Sequence, residues 1–122
     1  MDAPEKLVVI VTHGAAEAEL ATIPFVMAAG ALASDIELVM AFQGDSVELL
    51  TRNGAQDVHA HNFPPLAELM DTVSELGGKL LACAPCLEAR EIGESYLRDD
   101  VEVIGAARLI AEVTSATNTL TY

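Results

Sequence analysis

Short apolar runs, each passing into a segment with helical spacing, constrain this chain more than any other feature. Leu7-Val8-Val9-Ile10-Val11 has no polar alternation. A strand of that kind is covered on both faces, which is the condition of a parallel sheet rather than of a half-solvated antiparallel one. Asp35 to Phe42, with Ile36, Leu38, Val39 and Met40, reads as a second strand, and Lys79-Leu80-Leu81-Ala82 as a third. Thr117 to Tyr122 closes the chain as a last strand, and Val101-Glu102-Val103 fits either a short strand or a turn.

Helical segments fill the intervals. Glu17 to Ala33 is rich in Ala, Leu and Met, with Pro24 either kinking it or opening its main part. From Ile23 to Leu32 it carries no charge. A helix apolar all round is buried all round, so part of it is expected in a subunit interface. Asp45 or Ser46 is placed to cap a short helix through Val47, Leu49 and Leu50, ended by Asn53-Gly54. Gln56 to Asn62 reads as a short extended piece. Pro64-Pro65 opens a further helix with Leu66, Leu69, Met70, Val73 and Leu76 on one stripe, and Gly77-Gly78 ends it. Leu87 to Ile92 and Ala106 to Ser115 complete the helices. Strands alternating with helices at this pace predict an α/β fold, a three-layer sandwich around a mostly parallel sheet of about five strands, flavodoxin-like in type. A length of 122 residues fits a single domain, residues 1–122.

Composition excludes several partner classes. Six basic residues stand against nineteen acidic ones, for a formal charge of −13. Nucleic acid and anionic membrane both need basic patches. The same field repels small free anions over roughly 10 Å, which favours a neutral or protein-borne substrate. The start, Met1 to Lys6, has neither the basic segment nor the apolar stretch of a signal peptide, and no uninterrupted apolar run reaches the ~18 residues of a membrane span. A cytoplasmic protein is expected.

The chemistry concentrates at Cys83-Ala84-Pro85-Cys86, which holds both cysteines of the chain. Two thiols stand where a buried strand hands over to a helix. In a reducing compartment such a pair is more often catalytic or metal-binding than a structural disulfide. Free N–H groups of a first helical turn favour thiolate over thiol, and Arg90, four residues beyond Cys86, lies on the same helical face. Glu88, Glu91 and Glu94 act in the opposite sense. His13, after the first strand, lies on the edge of the sheet where ligands collect, and could orient a substrate or move a proton. His59 and His61 could complete a four-ligand metal set with the cysteines, but they alternate within a polar stretch and are expected in solvent. No Ser-His-Asp spacing, P-loop or dinucleotide fingerprint is present, and no metal or cofactor is expected.

These residues resemble, in order, the DsrE/F-like family of small α/β proteins of sulfur metabolism. The likeness runs through Leu7–Val11 with Thr12-His13-Gly14, then Phe42-Gln43-Gly44-Asp45-Ser46-Val47, then Asn62-Phe63-Pro64-Pro65-Leu66. Its most specific part is Leu81-Ala82-Cys83-Ala84-Pro85-Cys86-Leu87-Glu88-Ala89-Arg90. The resemblance implies a DsrE-like fold and a homotrimer or homohexamer. It implies a persulfide on Cys83, received from a donor protein and passed to an acceptor, with Arg90 at the family's arginine position. Many members have Gly after that arginine, where this chain has Glu91. Cys86, absent from several relay subunits, would resolve a Cys83 persulfide into a disulfide. A thiol–disulfide oxidoreductase and a non-catalytic adaptor subunit are the alternatives. A thioredoxin proper is disfavoured, because at least two βα units precede the motif and no proline follows it.

Overall fold

The computed structural model describes residues 4–122. The acidic start read for its lack of signal-peptide character lies partly outside them, at residues 1–3. The strands are β1 (Lys6–Val11), β2 (Glu37–Phe42), β3 (Lys79–Cys83), β4 (Val101–Ile104) and β5 (Asn118–Thr121). The helices are α1 (Ala18–Ala33), α2 (Leu66–Glu75), α3 (Ala84–Ala89) and α4 (Ala106–Thr114). All five strands form one parallel sheet in the order β4-β3-β2-β1-β5.

That order determines where the helices go. The chain steps from β1 to β2, β3 and β4 in one direction, then returns across the sheet to place β5 beside β1. Parallel crossovers are right-handed, so helices on steps in one direction share a face and the return helix takes the other. Packing follows this rule. Val9, Leu38, Met40 and Leu80 meet Phe25 and Ala28 of α1 and Met70 and Val73 of α2. Val8, Val39, Leu81 and Ile104 face Leu109 and Val113 of α4. Period-two alternation along each strand sends these sets to opposite faces. At the larger core, the rings of Phe25 and Phe42 lie 5.7 Å apart at 34°.

The face covered by α4 is the thinner one, and none of this helix's residues is fully buried. Ion pairs brace it at both ends. Arg108 reaches Glu102 of β4 at 2.7 Å, while Glu112 takes Lys6 of β1 at 2.8 Å.

Several local expectations change. Pro24 lies well inside α1, which continues through it. The segment Ala15–Ala33 is long and apolar enough to cross a membrane by length and composition. A core helix meets the same test, and here Ala21, Phe25, Ala28 and Ala31 are buried within the fold while Val26 and Met27 remain exposed. Ser46 is not a helix cap. It is fully buried in a 3₁₀ turn (Gly44–Leu50), and its hydroxyl donates to the carbonyls of Val11 (2.6 Å) and Gln43 (2.8 Å). Residues 56–57 and 61–62 form turns around an irregular stretch, 58–60, that joins no strand. Leu76 caps α2 and is exposed, because the buried stripe ends at Val73. The helix after the cysteines starts at Ala84, earlier than the apolar pattern indicates, with Pro85 in its first turn.

Candidate functional site

In open parallel sheets, ligands bind outside the carboxyl ends of the strands where two neighbours send their connections to opposite faces. Here that point falls between β3 and β4, since α3 lies on the side of the larger core and α4 on the other. Cys83 is the last residue of β3 and stands in register with Ile104, the last of β4. A groove of about 210 Å³ opens at this crevice. Cys83, Phe42, Leu81, Pro85, Leu109 and Ile110 are among its walls.

Both cysteines are free and half-buried. Cys83 occupies the position just before α3, and Cys86 lies within its first turn. Cys86 Sγ accepts the backbone N–H of Gly44 at 3.3 Å. Gly44 has φ 58°, a left-handed conformation that costs a side-chain-bearing residue about 1–2 kcal/mol, and this turn presents its amide to the sulfur. The expectation of an easily ionised Cys83 is corrected. Burial pushes the Cys83 thiol up from 9.0, and hydrogen bonding to the Cys86 side chain adds to this. The amide of Cys86 and, least of all, Arg90 pull the other way. The six-residue α3 supplies only a short run of aligned peptide dipoles.

Arg90 is engaged elsewhere. Its guanidinium donates to Asp45 at 2.8 Å and to the carbonyl of Cys86 at 3.1 Å, with Glu48 at 3.9 Å. It therefore ties α3 to the turn that carries Gly44, and two carboxylates offset its charge. Beyond it the helix ends in a Schellman motif, with Ile92 N–H on Leu87 O and Glu91 N–H on Glu88 O, both at 3.0 Å. The left-handed residue of that motif is usually Gly, and here it is Glu91 at φ 55°. This is the backbone reason for a glycine after the arginine.

His13 follows β1, whose neighbour β2 separates it from β3. Its ring Nδ1 lies 3.4 Å from Thr12 Oγ1, and among the described residues no hydrogen bond joins it to either sulfur. The structure thus groups Cys83, Cys86 and Arg90 around α3. His59 Nε2 pairs with the Phe63 carbonyl at 2.8 Å, and among the described residues no group of three His, Cys, Asp or Glu could hold a metal ion. Three contributors escaped the sequence reading: the Gly44 amide, Asp45 as the partner of Arg90, and the wall supplied by α4. A glycine two residues beyond a strand end was a usable signal for the first. Nothing local marks the others.

Fold and site define an α/β protein with a reduced dithiol at the switch point of a parallel sheet. The chain belongs to the DsrE/DsrF-like family, whose model matches residues 5–122. This family is generally linked to sulfur metabolism. Over 102 residues the chain is 29% identical to the uncharacterized protein MJ0760 of Methanocaldococcus jannaschii, covering 84% of this chain and 37% of that protein. It therefore spans little more than a third of that curated relative. Among solved structures it is similar to the ychN protein of E. coli, with a TM-score of 0.82, 18% identity and coverage of 97% and 99% of the two chains. The protein MTH1491 of Methanobacterium thermoautotrophicum matches with a TM-score of 0.74 and 12% identity, over 98% and 100%.

Proposed function

We propose that the protein is a sulfur carrier in which Cys83 holds a persulfide. The observation that supports this most is the position of Cys83, the one sulfur that lines the crevice groove, with Cys86 in the first turn of the helix it precedes. In the loading step Cys83, as thiolate, attacks the outer sulfur of a donor R–S–SH. The Sγ–S bond forms, the donor's S–S bond breaks, and R–S⁻ leaves and takes up the proton lost by Cys83. The balance is Cys83–SH + R–S–SH → Cys83–S–SH + R–SH, with no net oxidation. Transfer to an acceptor thiol repeats the step in reverse. Because Cys83 holds its proton tightly at rest, stoichiometric carriage suits it better than fast turnover.

Arg90 acts here as a positioning residue, through its hold on α3 and on the turn of Asp45. The exposed uncharged side of α1, with Leu20, Val26 and Met27, suits a trimer or hexamer interface. A cytoplasmic setting would keep both thiols reduced. Intact-mass measurement after incubation with a hydropersulfide tests the reading. One sulfur is expected to add to the reduced protein and to be lost in Cys83→Ser; an increment that survives this substitution removes Cys83 as carrier.

The two free thiols at the start of α3 support a second reading, a thiol–disulfide exchanger. Cys86 would attack Cys83–S–SH, forming the Cys83–Cys86 disulfide and releasing H₂S. Hydrogen sulfide released in stoichiometric amount, and absent in Cys86→Ser, would favour this route.

A further inference from the structure

We infer that the groove at Cys83 selects an uncharged, apolar organic hydropersulfide as its sulfur source, rather than a free sulfur oxyanion or a charged low-molecular-weight persulfide. This rests on the carrier reading of Cys83. Among the described residues no charged side chain lines the groove, and Gln43 supplies its one polar side chain apart from the thiol. Phe42, Leu81, Ile104, Leu109 and Ile110 give it a hydrocarbon wall from both sheet and helix. Sites for anions present N–H forks or cations; here the first turn of α4, at Gly105 and Ala106, brings N–H groups to the groove without a cation, since Arg90 is committed to Asp45 and a backbone carbonyl and Arg108 to Glu102 and Glu112. A chain of net charge −13 adds a repulsive field for any free anion.

Size and burial point the same way. A dry cavity of about 150 Å³ lined by Leu, Ile and Phe accepts benzene, and this groove offers about 210 Å³. A benzyl or short alkyl group fits against Leu109 and Ile110 while its outer sulfur meets Cys83. An apolar wall also makes the site a poor host for a charged donor, which would give up its hydration there. The step is the balanced exchange given above, with an aralkyl thiol as the leaving product.

The test compares donors on the reduced full chain by the initial rate of sulfur addition to Cys83, mapped by mass spectrometry. Benzyl hydropersulfide, glutathione hydropersulfide and thiosulfate serve as probes; thiosulfate would leave as sulfite. A preference for the benzyl donor of about tenfold or more is expected, equivalent to about 1.4 kcal/mol. Ile110 is 59% exposed, so Ile110→Lys places a cation at the groove without disturbing the core. That variant is expected to reduce the preference and to speed the anionic donors.

Equal rates, or faster loading from glutathione hydropersulfide or thiosulfate, overturn the substrate class and leave carriage by Cys83 standing. A benzyl preference unchanged in Ile110→Lys overturns the groove as its origin. Sulfur on Cys83 from none of the three donors overturns the carrier reading, and the inference falls with it.

Discussion

Ser46→Ala tests how the site is held. The hydroxyl is fully buried and bridges the end of β1, at the Val11 carbonyl, to the Gln43 carbonyl at the start of the turn that presents Gly44. One hydroxyl has one proton, so it donates to one of these oxygens at a time. Val11 O also keeps the amide of Gln43 at 3.0 Å, which limits the penalty on that side. The loss is then that of one internal hydrogen bond with incomplete desolvation, about 1–2 kcal/mol. For a domain of this size the melting temperature falls by roughly 4–8 °C. The local consequence discriminates better. Gly44 lies two residues before Ser46, so its amide slackens against Cys86, and Cys86 in a Cys83→Ser background reacts more slowly with iodoacetamide near neutral pH, because its thiolate loses an N–H donor. Thr22→Ala is the control. It also removes a buried hydroxyl bonded to a carbonyl, Ala18 O at 2.7 Å, but remote from the thiols. Alanine's better helix propensity returns up to about 0.5 kcal/mol there. Thermal melts with timed alkylation read both variants. A Ser46→Ala melt within about 1 °C of the parent, or identical Cys86 labelling in both variants, refutes the bridge as the support of the Gly44 amide.

Three further outcomes are expected. Cys86→Ala removes a side-chain partner that raises Cys83, so the Cys83 thiol ionises at lower pH and its alkylation rate profile moves to lower pH; an unmoved profile would leave burial as the whole cause. Glu91→Gly relieves a left-handed non-glycine residue worth about 1–2 kcal/mol and loses about 0.5–1 kcal/mol to unfolded-chain entropy. Denaturant melts should therefore show a net gain near 0.5–1 kcal/mol, and a loss would show that the Glu91 side chain contributes contacts of its own. Lys6, then Arg108, holds the Glu112 carboxyl below its ordinary 4.5. A depressed carboxylate contributes stability above its unfolded pKa, and this is lost as pH falls through the folded value. Glu112→Gln should lower stability near neutrality and flatten that part of the acid limb, which melts at graded acid pH would detect.

The site was only partly legible. Cys83 and Cys86 stand out because their spacing and place after a strand need no tertiary information. Arg90 follows from helical spacing, yet its true partner does not, because Asp45 lies forty-five residues away and reaches it only through the packing of α3 on the 3₁₀ turn. Burial of the thiols was equally invisible, so the predicted ease of ionisation at Cys83 had the wrong sign. Ser46 misled because Ser before an apolar run matches a cap, whereas a hydroxyl next to two strand-end carbonyls is a better donor than acceptor.

Local sequence determined the elements themselves. Unbroken apolar runs such as Leu7–Val11 can be buried only as central parallel strands, and stripes such as Leu66, Met70 and Val73 can be satisfied only as helices on a sheet. Tertiary structure alone decided the strand order, and with it the crevice. The return of the chain from β4 to the far side of β1 sends α4 to the opposite face and leaves a crevice beyond the paired ends of β3 and β4, with Cys83 in its apolar wall. No residue near the cysteines encodes that turn-back, because it arises from which edge of the sheet the last strand can pair with.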